Sequence, residues 1–206
     1  MPLLPHTDLG DSMHIVVFNG PPQSGKDTMA ELLAAHMDQQ GVVTMVVPES
    51  LSLPLRWIAY AMTGYEGRRV DGPDYEEFKT THFPAFNATG RQIMIDICER
   101  FLKPTYGIEI MANLLRARNE NIGPAVLLIR DGGFQTEIES LVRWVGEDNL
   151  YVVNVLRNGT SFENDSREWI HHKHSFGCDN NGTLDDLATE AGRVYGRLVN
   201  QLGWNL

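Results

Sequence analysis

Gly20-Pro21-Pro22-Gln23-Ser24-Gly25-Lys26-Asp27-Thr28 lies between two segments of different period. Before it, His14-Ile15-Val16-Val17-Phe18-Asn19 is a short apolar run rich in β-formers. After it, Met29 to Met37 reads as a helix. Strand, glycine-bounded loop and helix are the context a phosphate-binding loop needs. Glycines let successive backbone N–H groups face one concavity, and the helix adds its unpaired N-terminal donors and its dipole. Gly20, Gln23, Ser24, Gly25, Lys26, Asp27 and Thr28 are therefore the predicted nucleotide-binding residues. Lys26 supplies the cation for the outer phosphates, its head group expected in a solvated site. With glycine at about 7% and lysine at about 6% of residues, Gly-x4-Gly-Lys should arise by chance about 0.06 times in such a chain. The position that commonly holds a Ser or Thr magnesium ligand is Asp27 here, with Thr28 one residue later. Both are candidate ligands.

The length of 206 residues predicts one domain with small insertions. A net charge of -10, from 17 basic and 27 acidic residues, excludes a general polyanion binder. Cys98 and Cys178 stand far apart in no CxxC arrangement, which points to free thiols and a reducing compartment. No apolar run approaches the ~18 residues of a membrane span. Residues 1–12 read as a flexible tail, and Met13 is an alternative start directly before the first strand.

Val42 to Val47 reads as a second strand closed by Pro48, and Leu51 to Met62 as a helix with Pro54 near its first turn. Asp74 to Phe83 reads as a short helix or an insertion. Thr89-Gly90-Arg91 opens an amphipathic run whose apolar face is Ile93, Ile97 and Phe101. Ile108 to Ala117 and Thr136 to Trp144 are helical, and Ala125 to Ile129 and Leu150 to Leu156 are strands buried on both faces. Phe176-Gly177-Cys178 suggests a last short strand. Thr183 to Asp186 has capping-box spacing before a helix that runs to about Leu202. Buried strands alternating with helices mean a parallel sheet covered on both sides.

In such a sheet ligands bind at the carboxyl ends of the strands. The third strand delivers Asp131, a candidate metal ligand followed by Gly132 and not by a water-activating Glu, which tilts the reading toward transfer. The fourth delivers Arg157 and then a polar segment with Arg167 and Lys173, suited to a lid that brings cations to a phosphoryl group. Arg91 opposes the dipole at a helix start, a conflict that a bound acceptor phosphate would relieve. His171, His172 and His174 fit no standard zinc spacing. The absence of Asn-Lys-x-Asp argues against a GTPase.

Together these residues resemble the phage deoxynucleoside monophosphate kinases. The likeness rests on Ser24 to Thr28, Arg91 to Met94, Asp131, Glu137, Val155-Leu156-Arg157 and Asn181 to Asp186. It implies an α/β P-loop NTPase sandwich with a parallel sheet of about five strands, a short lid at about 157–175 and an acceptor-binding region at about 50–120. It implies ATP and Mg2+, with Lys26, Arg91, Asp131, Arg157 and Arg167 as catalytic residues. The expected activity is transfer of the ATP γ-phosphate to a deoxynucleoside monophosphate, in the cytoplasm of an infected bacterium, with no membrane partner and a homodimer allowed. The family often has Arg two residues after its Asp, where this chain has Gly133. A related group of phage kinases phosphorylates 5-hydroxymethyluracil within DNA. Arg68, Arg69, Lys79, Arg91 and Lys103 could form a basic strip for such a strand. A further alternative, from another class, is a nucleotide-binding regulator with little turnover.

Overall fold

The structure, a computed structural model, describes residues 13–203 except 43, 68 and 164. The tail expected at 1–12 and Arg68 of the basic strip lie outside the described residues. In chain order the elements are β1 (His14–Asn19), α1 (Lys26–Gln39), β2 (Met45–Glu49), α2 (Leu53–Thr63), α3 (Gly72–Thr80), β3 (His82–Phe83), β4 (Ala88–Thr89) and α4 (Gly90–Asp96). A π-helical turn (Ile97–Leu102) leads into α5 (Lys103–Tyr106), α6 (Ile110–Asn119), β5 (Ala125–Ile129), α7 (Gln135–Val145), β6 (Leu150–Leu156), β7 (Ser175–Asp179) and α8 (Leu184–Leu202). Two compact units divide the described residues. One holds those up to Ser50 and from Arg116 onward, the other Leu51–Leu115.

The first unit is built on a five-stranded sheet in the order β2-β5-β1-β6-β7, with every neighbouring pair parallel. Val16, Phe18, Val126, Leu128, Tyr151 and Val153 pack on one face with Met29, Leu33 and Met37 of α1 and Leu187, Val194 and Leu198 of α8. The alternate residues Ile15, Val17, Leu127, Ile129, Leu150 and Val152 are equally buried, so both faces are covered. Each such side chain contributes roughly 1.5–3 kcal/mol of burial. This is the α/β P-loop sandwich the sequence implies. α8 opens with a complete capping box, Thr183 and Asp186 bonding each other's backbone N–H.

β7 extends one residue beyond each of its expected limits, and β2 differs at its end. β2 runs through Pro48 and does not end before it. It is an edge strand of the sheet, with no partner on one side among the described residues, so a missing N–H is tolerated.

In the second unit an aromatic knot holds α2, α3 and the β3–β4 hairpin. The buried Phe78 ring lies 4.5 Å from Tyr60, 5.2 Å from Tyr65 and 5.4 Å from Phe83. Arg56 is buried against them, stacked 4.0 Å from the Tyr75 ring. Thr89 caps α4 by accepting from the Gln92 N–H. The expected apolar face fails at Phe101, which is 54% exposed, while Leu102 is buried. The π turn adds a residue to the helical repeat, so the inward position moves on by one.

Candidate phosphate-binding site

The loop between β1 and α1 takes its shape from two left-handed residues, Gln23 at φ +64° and Gly25 at φ +95°. Gly25 is required there for a second reason. The Asn180 carboxamide occupies the space of its missing side chain, and a Cβ would come within 2.2 Å of Asn180 Nδ2. That amide donates to the Ser24 carbonyl at 2.7 Å, tying the end of β7 to the loop. α1 begins at Lys26 with no side-chain cap, so its first-turn N–H groups remain for an anion. Ser24 Oγ is buried and finds no hydrogen-bond partner among the described residues. An orphaned hydroxyl beside uncapped helix donors fits a phosphate oxygen.

The Lys26 head group is not in a solvated site. It is buried, and its Nζ donates to the carbonyls of Gly20 and Pro21, both at 2.7 Å. The side chain is short of water at the base of the loop, and the two carbonyls replace it. Burial, then the Arg167 charge, lower its pKa to about 8, against the opposing pull of Asp27, Asp131 and Asp165.

Around this loop the first unit gathers the other expected residues. Arg157 is exposed and donates to the Gln23 carbonyl at 3.3 Å. Asp131 follows β5 and accepts from Ser50 Oγ at 2.6 Å. Arg167 is paired with Asp165 at 2.6 Å, and its aliphatic stem lies on Gly133. A Cβ at Gly133 would come within 2.3 Å of Arg167 Cδ. The missing side chain at 133 thus makes room for a cation delivered from another segment. Asp27 is exposed and Thr28 half-buried in the first turn of α1.

Lys173 is not part of this group. It pairs with Asp148 at 2.8 Å, ahead of the first residue of β6. β6 has seven residues, so that end lies about 20 Å from Arg157. His174 is there too, stacked on Tyr151 at 5.0 Å and bonded to Asp148. Among the described residues no three His, Cys, Asp or Glu side chains gather as a metal site. Cys98 and Cys178 are buried and not joined by a disulfide, and burial pushes the Cys178 thiol up to about 12.

In the second unit Arg91 is exposed on the first turn of α4. Three described members of the basic strip have acidic partners on their own segments. Arg69 pairs with Asp71 at 2.8 Å, Lys79 with Glu76 at 2.5 Å and Lys103 with Glu99 at 2.6 Å.

Sequence reasoning passed over Asn19, Ser50, Asp165 and Asn180. Asn19 carried a signal, a polar residue ending an otherwise apolar strand. Ser50 and Asn180 had none, because their partners are 81 and 156 positions away.

No family model and no curated protein matches the sequence. Among solved structures, the chain is similar to an APS kinase of Mycobacterium tuberculosis. Identity is 14% over 91% of this chain and 99% of that one, with a TM-score of 0.46. It is also similar to a gluconokinase from Sinorhizobium meliloti, at 13% identity over 93% of this chain and 96% of that one, with a TM-score of 0.43. The fold assignment rests on the strand order and the loop geometry.

Proposed function

We propose that this protein transfers the γ-phosphate of ATP to a deoxynucleoside monophosphate. The observation that carries the reading is the convergence of Lys26, Arg157 and Arg167 on a loop with an uncapped helix start. Lys26 is desolvated at this loop and donates to two neutral carbonyls, and a triphosphate would give it an anionic partner. Lys26 would exchange the Gly20 and Pro21 carbonyls for phosphate oxygens. Arg157 and Arg167 would neutralise charge on the transferring group, since phosphoryl transfer asks mainly for positioning and electrostatics. Mg2+ would be held by Asp131, with Asp27 or Thr28, and would neutralise charge between the outer phosphates. Ser50 donates to one Asp131 oxygen at 2.6 Å, which orients that carboxylate.

For the acceptor, two observations support a free nucleotide over a DNA strand. Arg69, Lys79 and Lys103 are locally neutralised, which weakens a strip for phosphates. Arg167 stands over Gly133, so the expected cation is supplied from elsewhere in the chain. Arg91 remains the proposed anchor of the acceptor phosphate. The test is labelled ATP offered with each deoxynucleoside monophosphate, with DNA containing 5-hydroxymethyluracil, and with neither. Label on a free nucleotide is expected. Label on DNA alone would overturn the acceptor, and label on neither would favour the regulator.

A further inference from the structure

Asn19 is completely buried at the end of β1, one residue before the phosphate loop. Its carboxamide bonds only backbone groups far away in sequence. Nδ2 donates to the Gly132 carbonyl at 3.2 Å and the Glu168 carbonyl at 3.1 Å, and Oδ1 accepts from the Ile170 N–H at 3.2 Å. One side chain therefore joins three segments: the root of the loop, the turn after β5 and the chain at 168–170. That chain is held at further points. The Glu168 N–H donates to the Gly133 carbonyl at 3.3 Å. Gln135 and the backbone of His171 bond each other in both directions at 3.1 Å. The segment expected to act as a lid is thus strapped to the sheet along residues 168–171.

We propose that Asn19 is a positioning residue for Arg167, clipping this strap onto the Gly132–Gly133 turn so that the guanidinium stands near Lys26 before nucleotide arrives. The inference rests on the ATP-binding reading above and adds to it a residue that touches neither nucleotide nor metal. Two features favour it over plain satisfaction of a buried amide. Arg167 sits next to the clipped residues, its stem on Gly133 and its guanidinium oriented by Asp165. An Arg side chain otherwise loses rotamer entropy when it is fixed, and a strapped one meets much of that cost before binding.

The test is a double-mutant cycle on MgATP affinity by calorimetry, with the wild type, Asn19→Ala, Arg167→Ala and the double variant. Asn19→Ala should weaken binding at least fivefold in the wild type and less than twofold when Arg167 is already Ala. Equal losses in both backgrounds would overturn the proposal. Should Asn19→Ala fail to fold, Gln135→Ala cuts the strap elsewhere. It should speed amide exchange at 167–171 and weaken MgATP at least twofold, again only with Arg167 present. Faster exchange with unchanged affinity, or unchanged exchange, would overturn it. Lys26→Ala in the same titration separates the two readings. If it binds MgATP like the wild type, or the wild type binds none, the ATP-binding reading falls and this inference with it. If it binds poorly while the Asn19 effect ignores Arg167, only the positioning role falls.

Discussion

The two ends of the sheet treat their lysines in opposite ways. At the amino end Lys173 and His174 share Asp148 in an exposed cluster where every charge has its counter-charge. At the carboxyl end Lys26 is buried, bonded to neutral carbonyls and close to a second cation, Arg167. A paired exposed charge contributes little to stability and asks for no ligand. A buried lysine whose hydrogen bonds go to neutral carbonyls is held at a cost, and groups perturbed in this way cluster at functional sites. Both lysines belong to chain segments with mixed charge, so the difference lies wholly in what the fold places around them.

The sharpest way to break that comparison is to remove each lysine. Lys26→Ala should lower phosphoryl transfer at least 100-fold, about 2.7 kcal/mol of barrier, while Lys173→Ala should stay within twofold. Steady-state rates decide it, and a Lys26→Ala protein retaining a tenth of the wild-type rate would put both lysines in one class.

The next largest effect concerns the metal. Asp131→Asn should raise the Mg2+ concentration for half-maximal rate about tenfold, and Asp27→Ala should raise it more than Thr28→Ala does. A Mg2+ titration of the three variants reads this. If Thr28→Ala is the more damaging, Thr28 is the ligand.

A pH titration sharpens the comparison further. The folded pKa of Lys26, about 8, lies below its ordinary 10.5. The strain of the buried charge is thus fully present below pH 8 and is relieved as the pH rises toward 10.5. A bound triphosphate favours the protonated form, so MgATP affinity should fall above pH 8, by up to about tenfold per unit, with uptake of a proton on binding. Calorimetry in buffers of different ionisation enthalpy measures the uptake, and Lys26→Met should abolish it. Asp148 follows ordinary pairing at the other end. Lys173 and His174 lower its pKa, so its contribution is lost only as the pH falls through that depressed value.

The smallest effect is expected in the second unit. Changing Arg69 and Lys79 together to Ala should alter binding to single-stranded DNA less than twofold, because both charges are already paired. Binding that is strong, falls steeply with salt and is lost in this variant would restore the DNA acceptor.

Much of this was legible in the sequence. β1 and β6 keep the limits read from it, since continuous apolar runs of β-formers admit one conformation in a parallel sheet. The phosphate loop was legible because glycine spacing is a backbone requirement that sequence states directly. Two features were not. The β3–β4 hairpin has two residues on each strand, too few for a period to show. Phe101 was misplaced because a π turn leaves no mark in the residue pattern, and one added residue moves the buried face to Leu102.

By itself, then, the sequence determined the layered α/β architecture and the place of the loop, because hydrophobic period and glycine geometry act over a few residues. Tertiary structure alone decided that Lys26 is buried and Lys173 spent on Asp148. It also decided that Asn19 and Asn180 tie the loop and its root to segments 113 to 156 positions away and that Arg167 fills the space over Gly133. Those outcomes depend on which polar groups the folded sheet brings within about 3 Å of one another, and hydrogen bonds and charge pairs have no period along the chain.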